Sequence, residues 1–448
     1  MIEKNILLIS ECPKIKSNYV NSLPPIGILT LASFLESKGA KVDVIDYNVE
    51  KRKPVNYKKY DLIGFSAYCS NIENTLKQAK WIKETTNAAI IVGGPHCMAN
   101  PLLYIKKPFI DAAIIGEAEY TLYEYLTKKD KSEIKGLYIR KDNKPFFTGN
   151  REYIKDLDQL PFPALEKVDI KHYNVPLKKA KPISNIMTSR GCPFQCIFCF
   201  HSLGTQFRAR SPKNVVDEIE WQINKFGVKE ICIFDDNFAL DAKRAEKIAD
   251  LIIERGLKIK LQFTNGIRVD NITKELLFKL KKAGIWLVGV APESGNQDSL
   301  IKMKKGVSLD KIKQVVKWCK ELGIITHSYF MMGFPWETKQ HLINTINFAE
   351  KLDTDITQFT RVMPFPGTEL YKMMELKLDT ESKNDQGLFY GSIQHKVANL
   401  TEKEVHKYIK IGYRKTFIKP KKIFKLLITL NLVDFFKLCL YAITSESV

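Results

Sequence analysis

The chain contains three cysteines within eight residues, Cys192, Cys196 and Cys199, at the spacing Cys-x3-Cys-x2-Cys. Three thiolates can hold three corners of a cubane iron–sulfur cluster, which leaves the fourth iron without a protein ligand. S-adenosylmethionine (SAM) can occupy that corner through its amino and carboxylate groups. One electron from the cluster would then split the sulfonium bond of SAM and give a carbon radical. The spacing therefore predicts a [4Fe–4S] cluster with one open iron.

Two other uses of these cysteines are less favoured. A structural zinc ion needs four ligands, usually supplied as two pairs. Here only His201 is close enough to be a fourth ligand, and no second Cys-x2-Cys exists. A disulfide framework is unusual in a long chain with an odd count of 9 cysteines.

The residues around the cysteines carry a family resemblance. The run from Ser189 to Cys199 is similar to the signature of the radical SAM superfamily, including the aromatic Phe198 and the sequence Gly191-Cys192-Pro193. From residue 183 onward, six apolar strands alternate with helical segments, and each strand ends in polar or small residues. Parallel β/α barrels place their chemistry at that end. We therefore expect a partial (β/α)6 barrel over 185–385.

The resemblance implies a SAM site at these strand ends. Glu293 and Ser294 match a motif that meets the ribose or amino group, and Arg268 matches a contact to the carboxylate, which a guanidinium can grip with two bonds. Trp336 departs from the family, because relatives usually carry glycine there. Each residue could instead be a polar residue that only ends a strand. The implied SAM-binding set is Phe198, Asp236, Asn237, Arg268, Glu293, Ser294, Met332 and Gly333.

The first 125 residues also alternate between buried apolar strands and helices. This alternation predicts a doubly wound, flavodoxin-like parallel sheet, whose ligands bind at the carboxyl ends of the strands. The loops at those ends are small or glycine-rich, which would let a large flat ligand approach the backbone.

The order of these loops, followed by a radical SAM core, resembles the cobalamin-binding radical SAM family. That family includes the anaerobic magnesium-protoporphyrin ester cyclase and many methyltransferases, and the resemblance runs from about residue 5 to about 420. It implies a Rossmann-like cobalamin-binding domain. The lower axial ligand of cobalt stays unassigned, because the run Asp-x-His-x-x-Gly is absent. The implied cobalamin-binding residues are Ser66, Ala67, Tyr68, Gly93, Gly94, Pro95, His96, Gly116 and Glu117.

Three further cysteines, Cys12, Cys69 and Cys97, follow predicted strands and could be neighbours at one sheet edge. The tRNA methylthiotransferases hold a second cluster with three N-terminal cysteines, which makes them a rival family. Their spacings differ from these, and their asparagine-threonine-cysteine run is missing here. Small buried cysteines are the simpler interpretation.

Composition favours a cytoplasmic enzyme. The net charge is +20, yet the lysines are spread along the chain and no arginine-rich patch interleaves with aromatic residues, so nucleic acid is not favoured. We expect no secretory signal and no membrane span. The predicted domains are 1–150 (cobalamin-binding), 151–184 (connector), 185–385 (radical SAM core) and 386–448 (helical). Apolar residues over 423–440 alternate with lysines, which predicts a helix that docks on the protein or touches a membrane surface.

Two functions follow from the resemblance. The first is methylation of an unactivated carbon through methylcobalamin and a 5′-deoxyadenosyl radical. The second is an oxidative cyclase, or another carbon–carbon bond-forming enzyme, of the same family. A methylthiotransferase-like reaction is a weaker third. Each implies a small-molecule or lipid-like substrate and an external electron donor of the flavodoxin or ferredoxin type. No residue pattern identifies the substrate or a catalytic side chain.

Overall fold

A computed structural model of the chain describes residues 3–13, 22–374, 400–417 and 422. The chain divides into two compact units, each built from separate segments. The first unit takes residues 1–173, 199–208 and 364–393, and the second takes 174–198, 209–363 and 394–448. The domain boundaries expected at 150, 184 and 385 stay a prediction. The predicted amphipathic helix over 423–440 lies outside the described residues.

The first unit is built on a seven-stranded sheet with the order β2-β1-β3-β4-β5-β6-β7. The first five strands in this order are parallel, as predicted, and the order in which the chain adds strands reverses between β1 and β3. Such a switch point is where doubly wound sheets bind ligands. The strands are β1 (Asn5–Ser10), β2 (Lys41–Asp46), β3 (Leu62–Ser66), β4 (Ala89–Gly93), β5 (Ala112–Ile114), β6 (Leu137–Lys141) and β7 (Lys144–Phe147).

Amphipathic helices cover this sheet. Helix α2 shows the cause most clearly, because its buried Ile72, Thr75, Ala79 and Ile82 recur at the three-to-four-residue spacing of one helix face. The helices of this unit are α1 (Ile26–Ser37), α2 (Ile72–Thr85), α3 (Pro95–Ala99), α4 (Pro101–Ile105), α5 (Ala118–Thr127) and, later in the chain, α12 (Glu369–Met373).

The sheet also gains an antiparallel edge. A hairpin turns at Asp142-Asn143, and both residues have positive φ angles, 51° and 59°. Two such residues form the turn that matches the twist of a hairpin. Strand β6 then pairs antiparallel with β5, so the hairpin extends the parallel sheet.

The second unit contains a six-stranded sheet in sequential order, β8-β11-β12-β13-β14-β15, and every neighbouring pair is parallel. This confirms the predicted six-strand open barrel. Two short strands, β9 (Ser189–Arg190) and β10 (Arg208–Ala209), flank the cysteine loop. The barrel strands are β8 (Ile183–Ile186), β11 (Glu230–Ile233), β12 (Lys260–Ile267), β13 (Ile285–Glu293), β14 (Ile325–Met332) and β15 (Ile356–Arg361).

The sequence pattern predicts strands over Lys260–Phe263 and Trp286–Val290, and β12 and β13 extend beyond both. Register shifts between Phe263 and Ile267, and between Val290 and Glu293, let the backbone continue through residues that the sequence indicates as loops. Bulges of this kind re-aim side chains at the end of a strand. Arg268 and Ser294 therefore follow directly on strands.

Helices pack on the outer face of this sheet. Helix α6 is terminated as predicted: Ser211 accepts a hydrogen bond from the Asn214 backbone, and Gly227 ends the helix with a φ of 65°. The remaining helices are α7 (Ala242–Glu254), α8 (Lys274–Lys282), α9 (Gln297–Lys302), α10 (Leu309–Glu321), α11 (Lys339–Leu352) and α13 (Glu402–Phe417), with α6 over Pro212–Phe226.

Helix α13 closes the last strand. Tyr413 Oη both accepts from the Phe359 backbone amide and donates to the Phe359 carbonyl, and Arg361 pairs with Glu402. Within the described residues, no helix combines the length and apolarity needed to cross a bilayer.

Gly94 allows two strand ends to approach each other closely. Its φ is 95°, and a Cβ there would lie 2.8 Å from the Ala67 nitrogen and 2.9 Å from the Ala67 oxygen. Gly116 also has a positive φ of 87°, but a Cβ there would meet nothing within 4 Å. Gly94 is therefore required by backbone packing, whereas Gly116 is required only by its own conformation.

We expect Gly94→Ala to destabilise the protein more than Gly116→Ala. The Gly116 variant should lose about 1 kcal/mol from backbone strain alone. The Gly94 variant should lose about 3 kcal/mol, because overpacking adds to that strain. Thermal unfolding of the two variants measures the difference, and equal melting temperatures would contradict this account.

Candidate functional site

A buried carboxylate fixes the entry to the cysteine loop. Asp235 follows β11 and is 3% exposed. Its oxygens accept hydrogen bonds from the Thr188 amide (2.5 Å), the Thr188 hydroxyl (2.5 Å) and the Ser189 hydroxyl (2.6 Å). Burial raises the pKa of Asp235, and these bonds oppose that effect. Arg244 adds a bond to the Thr188 carbonyl at 2.6 Å, so this stretch is held from two sides.

The predicted pair Asp236 and Asn237 comes next in the chain. Asp236 Oδ2 accepts a hydrogen bond from the Gly191 amide at 3.0 Å, one residue before the first cysteine. Asn237 is 2% exposed, and its side-chain oxygen has no hydrogen-bond partner among the described residues. Asp236 thus supports the cysteine loop, and Asn237 leaves an acceptor beside it.

The three cysteines differ in exposure. Cys196 is buried, Cys192 is partly buried and Cys199 is exposed, and none forms a disulfide. Burial raises the pKa of Cys192. Three thiols in one loop are the donor set that a cluster with one open iron requires. In the described residues, no three His, Cys, Asp or Glu side chains are already gathered in a metal-binding arrangement.

A turn after α9 packs against this loop. The Ile197 amide donates to the Met303 carbonyl at 3.1 Å, and Cys196 Sγ lies 3.8 Å from the Lys304 carbonyl. Lys304 has a positive φ of 54°, which is uncommon outside glycine. This turn was not identified from the sequence, because backbone contacts leave no residue-type signal.

Arg268 contacts the cysteine loop through an aromatic ring. Its guanidinium carbon lies 3.4 Å from the ring centroid of Phe194, and its Nε pairs with Asp270 at 2.5 Å. The side chain therefore lies beside the cysteine loop. Its expected contact to the SAM carboxylate stays a prediction.

Glu293 is brought to the same region by strained backbone. Its φ is 63°, and its carboxylate accepts from Lys305 Nζ at 2.8 Å. Lys305 also lies 5.7 Å from the ring centroid of Phe198. A non-glycine residue held at positive φ at a strand end is typical of functional sites. Lys305 was missed from the sequence because it lies twelve residues beyond its partner.

Ser294, Met332 and Gly333 are held by different partners. Ser294 is fully buried, and its hydroxyl lies 3.3 Å from the Thr345 hydroxyl on α11. Met332 ends β14 and is fully buried. The Gly333 amide donates to Glu337 Oε2 at 2.7 Å, and the Phe334 amide donates to the same oxygen at 3.0 Å. Glu337 therefore holds the turn expected to meet adenine.

The predicted cobalamin residues converge at the carboxyl edge of the first sheet. The Ala67 amide donates to the Gly93 carbonyl at 2.8 Å, and the His96 amide donates to the Ala67 carbonyl at 3.0 Å. Ser66 lies beside Gly94, since its hydroxyl would be 3.0 Å from a Cβ there. Tyr68 is 47% exposed and offers the open aromatic surface of this edge.

Three other predicted residues at this edge, Pro95, His96 and Glu117, are engaged with the protein itself. Pro95 begins the short helix α3. The His96 ring is 2% exposed and its Nδ1 lies 2.8 Å from the Tyr104 hydroxyl. Glu117 forms a buried ion pair with Arg208, with both side chains 3% exposed, and also accepts from the Ile154 amide at 2.7 Å. A Cβ at Gly116 would meet nothing within 4 Å, so this position stays open.

Glu11 was missed from the sequence. It follows β1 at the switch point, its side chain is fully buried, and Oε2 accepts from Arg52 at 2.7 Å. Its other oxygen has no hydrogen-bond partner among the described residues. Burial raises the pKa of Glu11 to about 7. A charged residue straight after a buried strand was the available signal.

Cys12, Cys69 and Cys97 do not share one environment. Cys97 is fully buried, and its thiol donates to the Val92 carbonyl at 3.3 Å. Burial raises the pKa of Cys97, which disfavours the thiolate that a cluster needs. Cys12 and Cys69 are partly buried. Cys97 thus matches the small buried cysteine of the simpler interpretation.

Two family models match the chain. The model described as the radical SAM superfamily matches residues 186–349. The model described as the B12 binding domain matches residues 14–126. The first spans the barrel from β8 into α11. The second spans β2 to β5, and the predicted cobalamin-binding residues lie at the ends of β3, β4 and β5.

Individual proteins give the same result over a longer stretch. An uncharacterized methyltransferase, PH0819, of Pyrococcus horikoshii is 30% identical, covering 90% of this chain and 89% of that protein. The anaerobic magnesium-protoporphyrin IX monomethyl ester cyclase of Rubrivivax gelatinosus is 27% identical, covering 80% and 67%. Among solved structures, the radical SAM methyltransferase TsrM of Kitasatospora setae, with cobalamin and a [4Fe–4S] cluster bound, superposes with a TM-score of 0.67 at 20% identity, covering 83% of this chain and 75% of that one.

These matches confirm the enzyme class, the fold and the cofactors expected from the sequence, namely a [4Fe–4S] cluster, SAM and cobalamin. The chain belongs to the cobalamin-dependent radical SAM enzymes, a family of methyltransferases and cyclases that join a B12-binding domain to a radical SAM domain.

Proposed function

We propose that this enzyme transfers a methyl group to an unactivated carbon of a small-molecule substrate. The observation that carries the proposal is the 30% identity to a protein named as a methyltransferase, sustained over 90% of the chain and thus across both family matches. The cofactors of the family, when bound, supply a hydrogen-abstracting radical and a transferable methyl group. The protein supplies placement and exclusion of water.

The overall reaction balances with two molecules of SAM. One is cleaved to methionine and 5′-deoxyadenosine, which carries away the substrate hydrogen. The other gives its methyl group and leaves as S-adenosylhomocysteine. Two electrons are needed for each turnover, and we propose that an external flavodoxin or ferredoxin type protein supplies them. A reducing compartment such as the cytoplasm suits this chemistry.

Residues in and around the cysteine loop would arrange the SAM site. Cys192, Cys196 and Cys199 would hold the cluster. The oxygens of Asp235 and Asp236 fix the backbone before them, at Thr188 and Gly191. Glu293 would meet the ribose or amino group, with its carboxylate oriented by Lys305. We propose that the other SAM-binding residues named from the family resemblance act in the roles that the resemblance implies.

Oxidative cyclisation is the second candidate function. The cyclase of Rubrivivax gelatinosus is similar over 80% of this chain, so both reactions occur among its relatives. Cyclisation would use the radical without net methyl transfer and would leave the carbon count of the substrate unchanged. A peripheral membrane contact through residues 423–440 and a lipid-like substrate are compatible with either reaction.

The first prediction concerns the cluster. The unmodified protein should be brown and should bind about four irons per chain. Replacing Cys192, Cys196 or Cys199 by Ala should remove the colour, the bound iron and all cleavage of SAM. Cys232→Ala is the matched control, because Cys232 is a fully buried core cysteine on β11. Iron analysis and assay of 5′-deoxyadenosine after anaerobic reconstitution provide the measurement. A Cys196 variant with full SAM cleavage would refute the site.

The second prediction concerns Glu337. Burial of this carboxyl group raises its pKa to about 7. Glu337→Ala leaves the Gly333 and Phe334 amides without their acceptor and should weaken binding of S-adenosylhomocysteine about tenfold. Glu337→Gln keeps an acceptor oxygen and should stay within about threefold of the original affinity. Equilibrium dialysis and amide hydrogen exchange at residues 333–334 follow both effects. Equal binding by the Ala and Gln variants would show that the turn does not depend on this oxygen.

The third prediction concerns the reaction type. With methyl-labelled SAM, label should enter the product, and 5′-deoxyadenosine and S-adenosylhomocysteine should form in equal amounts. Mass spectrometry of the product and chromatography of both nucleosides give the answer. Deoxyadenosine alone, with an unlabelled product of unchanged carbon count, would favour the cyclase reaction.

A further inference from the structure

The inner face of the barrel carries two polar side chains on β14, His327 and Tyr329, that have no assigned role. Residues two apart on a strand share a face, so His327, Tyr329 and Met331 lie together on β14. The opposite face carries Phe330, whose ring packs 6.3 Å from the ring of Phe348 on the outer helix α11. His327 and Tyr329 therefore lie on the face away from the helices.

Neither strand neighbour in register with His327 offers it a polar side chain. Its partner in register on β13 is Gly289, which has no side chain, and its partner on β15 is Ile356. Farther along β15, Gln358 is in register with Tyr329 and is partly buried. Gln358 thus adds one uncharged polar side chain next to Tyr329.

Hydrogen bonds fix the proton on His327. The Tyr329 hydroxyl donates its one proton to the Thr264 carbonyl, which can only accept. The same hydroxyl lies 3.1 Å from His327 Nδ1 and must therefore accept there, so Nδ1 carries a proton. The two rings pack with centroids 4.3 Å apart, which holds the imidazole in this orientation.

The imidazole is also kept uncharged. Burial lowers the pKa of His327 to about 3 and raises the pKa of Tyr329, so both groups are neutral throughout the physiological range. The charge of the Glu293 carboxylate also raises the pKa of Tyr329, and this carboxylate is already paired with Lys305 at 2.8 Å. With Nδ1 protonated and the ring neutral, Nε2 must carry a lone pair.

We infer that His327 Nε2 is a substrate-binding acceptor on the inner face of the barrel, which takes a hydrogen bond from an uncharged O–H or N–H group of the substrate. Nε2 makes no hydrogen bond within the described residues, and the residue keeps 8% exposure. A carboxylate or phosphate is disfavoured, because Nε2 has no proton to donate. An ammonium is disfavoured, because Glu293 is already neutralised by Lys305.

This inference rests on the proposed function only in naming the ligand as the substrate. Tyr329 is a positioning residue in this scheme, since it sets which nitrogen of His327 is protonated. The tests below use the full-length protein without turnover. A failure here is therefore distinguishable from a failure of the methyl-transfer proposal.

Nitrogen NMR of histidine-labelled protein tests the protonation state. His327 should show an unprotonated Nε2 with no titration between pH 5.5 and about 8, and His327→Gln assigns the signal. In Tyr329→Phe the Nδ1 proton has no acceptor, so the tautomer with protonated Nε2 should become populated. A protonated Nε2 in the unmodified protein, or a tautomer unchanged by Tyr329→Phe, would overturn the inference.

Chemical access and donor preference complete the test. Diethyl pyrocarbonate acylates unprotonated imidazole, so His327 should react equally fast at pH 5.5 and pH 7.5, while N-acetylhistidine in the same tube slows about tenfold at the lower pH. Phenol should shift the Nε2 resonance at concentrations where anisole, which lacks the donor, does not. An unreactive His327, or identical responses to phenol and anisole, would refute the subsite.

Discussion

The second unit depends on one buried carboxylate. Asp235 is withdrawn from water and can remain so only because three donors from Thr188 and Ser189 meet its oxygens. These hydrogen bonds fix the point at which the chain leaves the first barrel strand. They thereby also fix the position of the residues that follow. Gly191 then reaches Asp236, and Phe194 reaches Arg268. This chain of contacts places the loop that carries the cysteines.

Much of the architecture could be predicted because burial leaves a clear pattern. Strand β1 over Asn5–Ser10, for example, is an apolar run that ends in a polar residue. Strand ends at β12 and β13 were wrong by three or more residues. Their bulges arise from pairing with neighbouring strands, which no local pattern encodes.

The candidate site shows the same division. Arg268, Asp236 and Glu293 were identified by their types and positions, but the partners that hold them were not. Lys305 and Glu337 act through side chains that reach a strand end from elsewhere in the chain. The backbone constraint at Gly94 also lay outside the sequence pattern. Its missing Cβ makes room for the Ala67 backbone, and its expected ligand contact stays a prediction.

The buried pair of Glu117 and Arg208 has a consequence for synthesis in the cell. The two residues are separated by 91 positions, and Arg208 follows the last cysteine of the loop. At the usual pace of a ribosome this separation delays the pairing by about 5 to 18 s. During that interval Glu117 has no cationic partner, and burying an unpaired carboxylate costs free energy. The final packing around Glu117 must therefore wait until the cysteine loop has been synthesised. Packing around Glu117 and readiness of the cluster loop thus coincide in time.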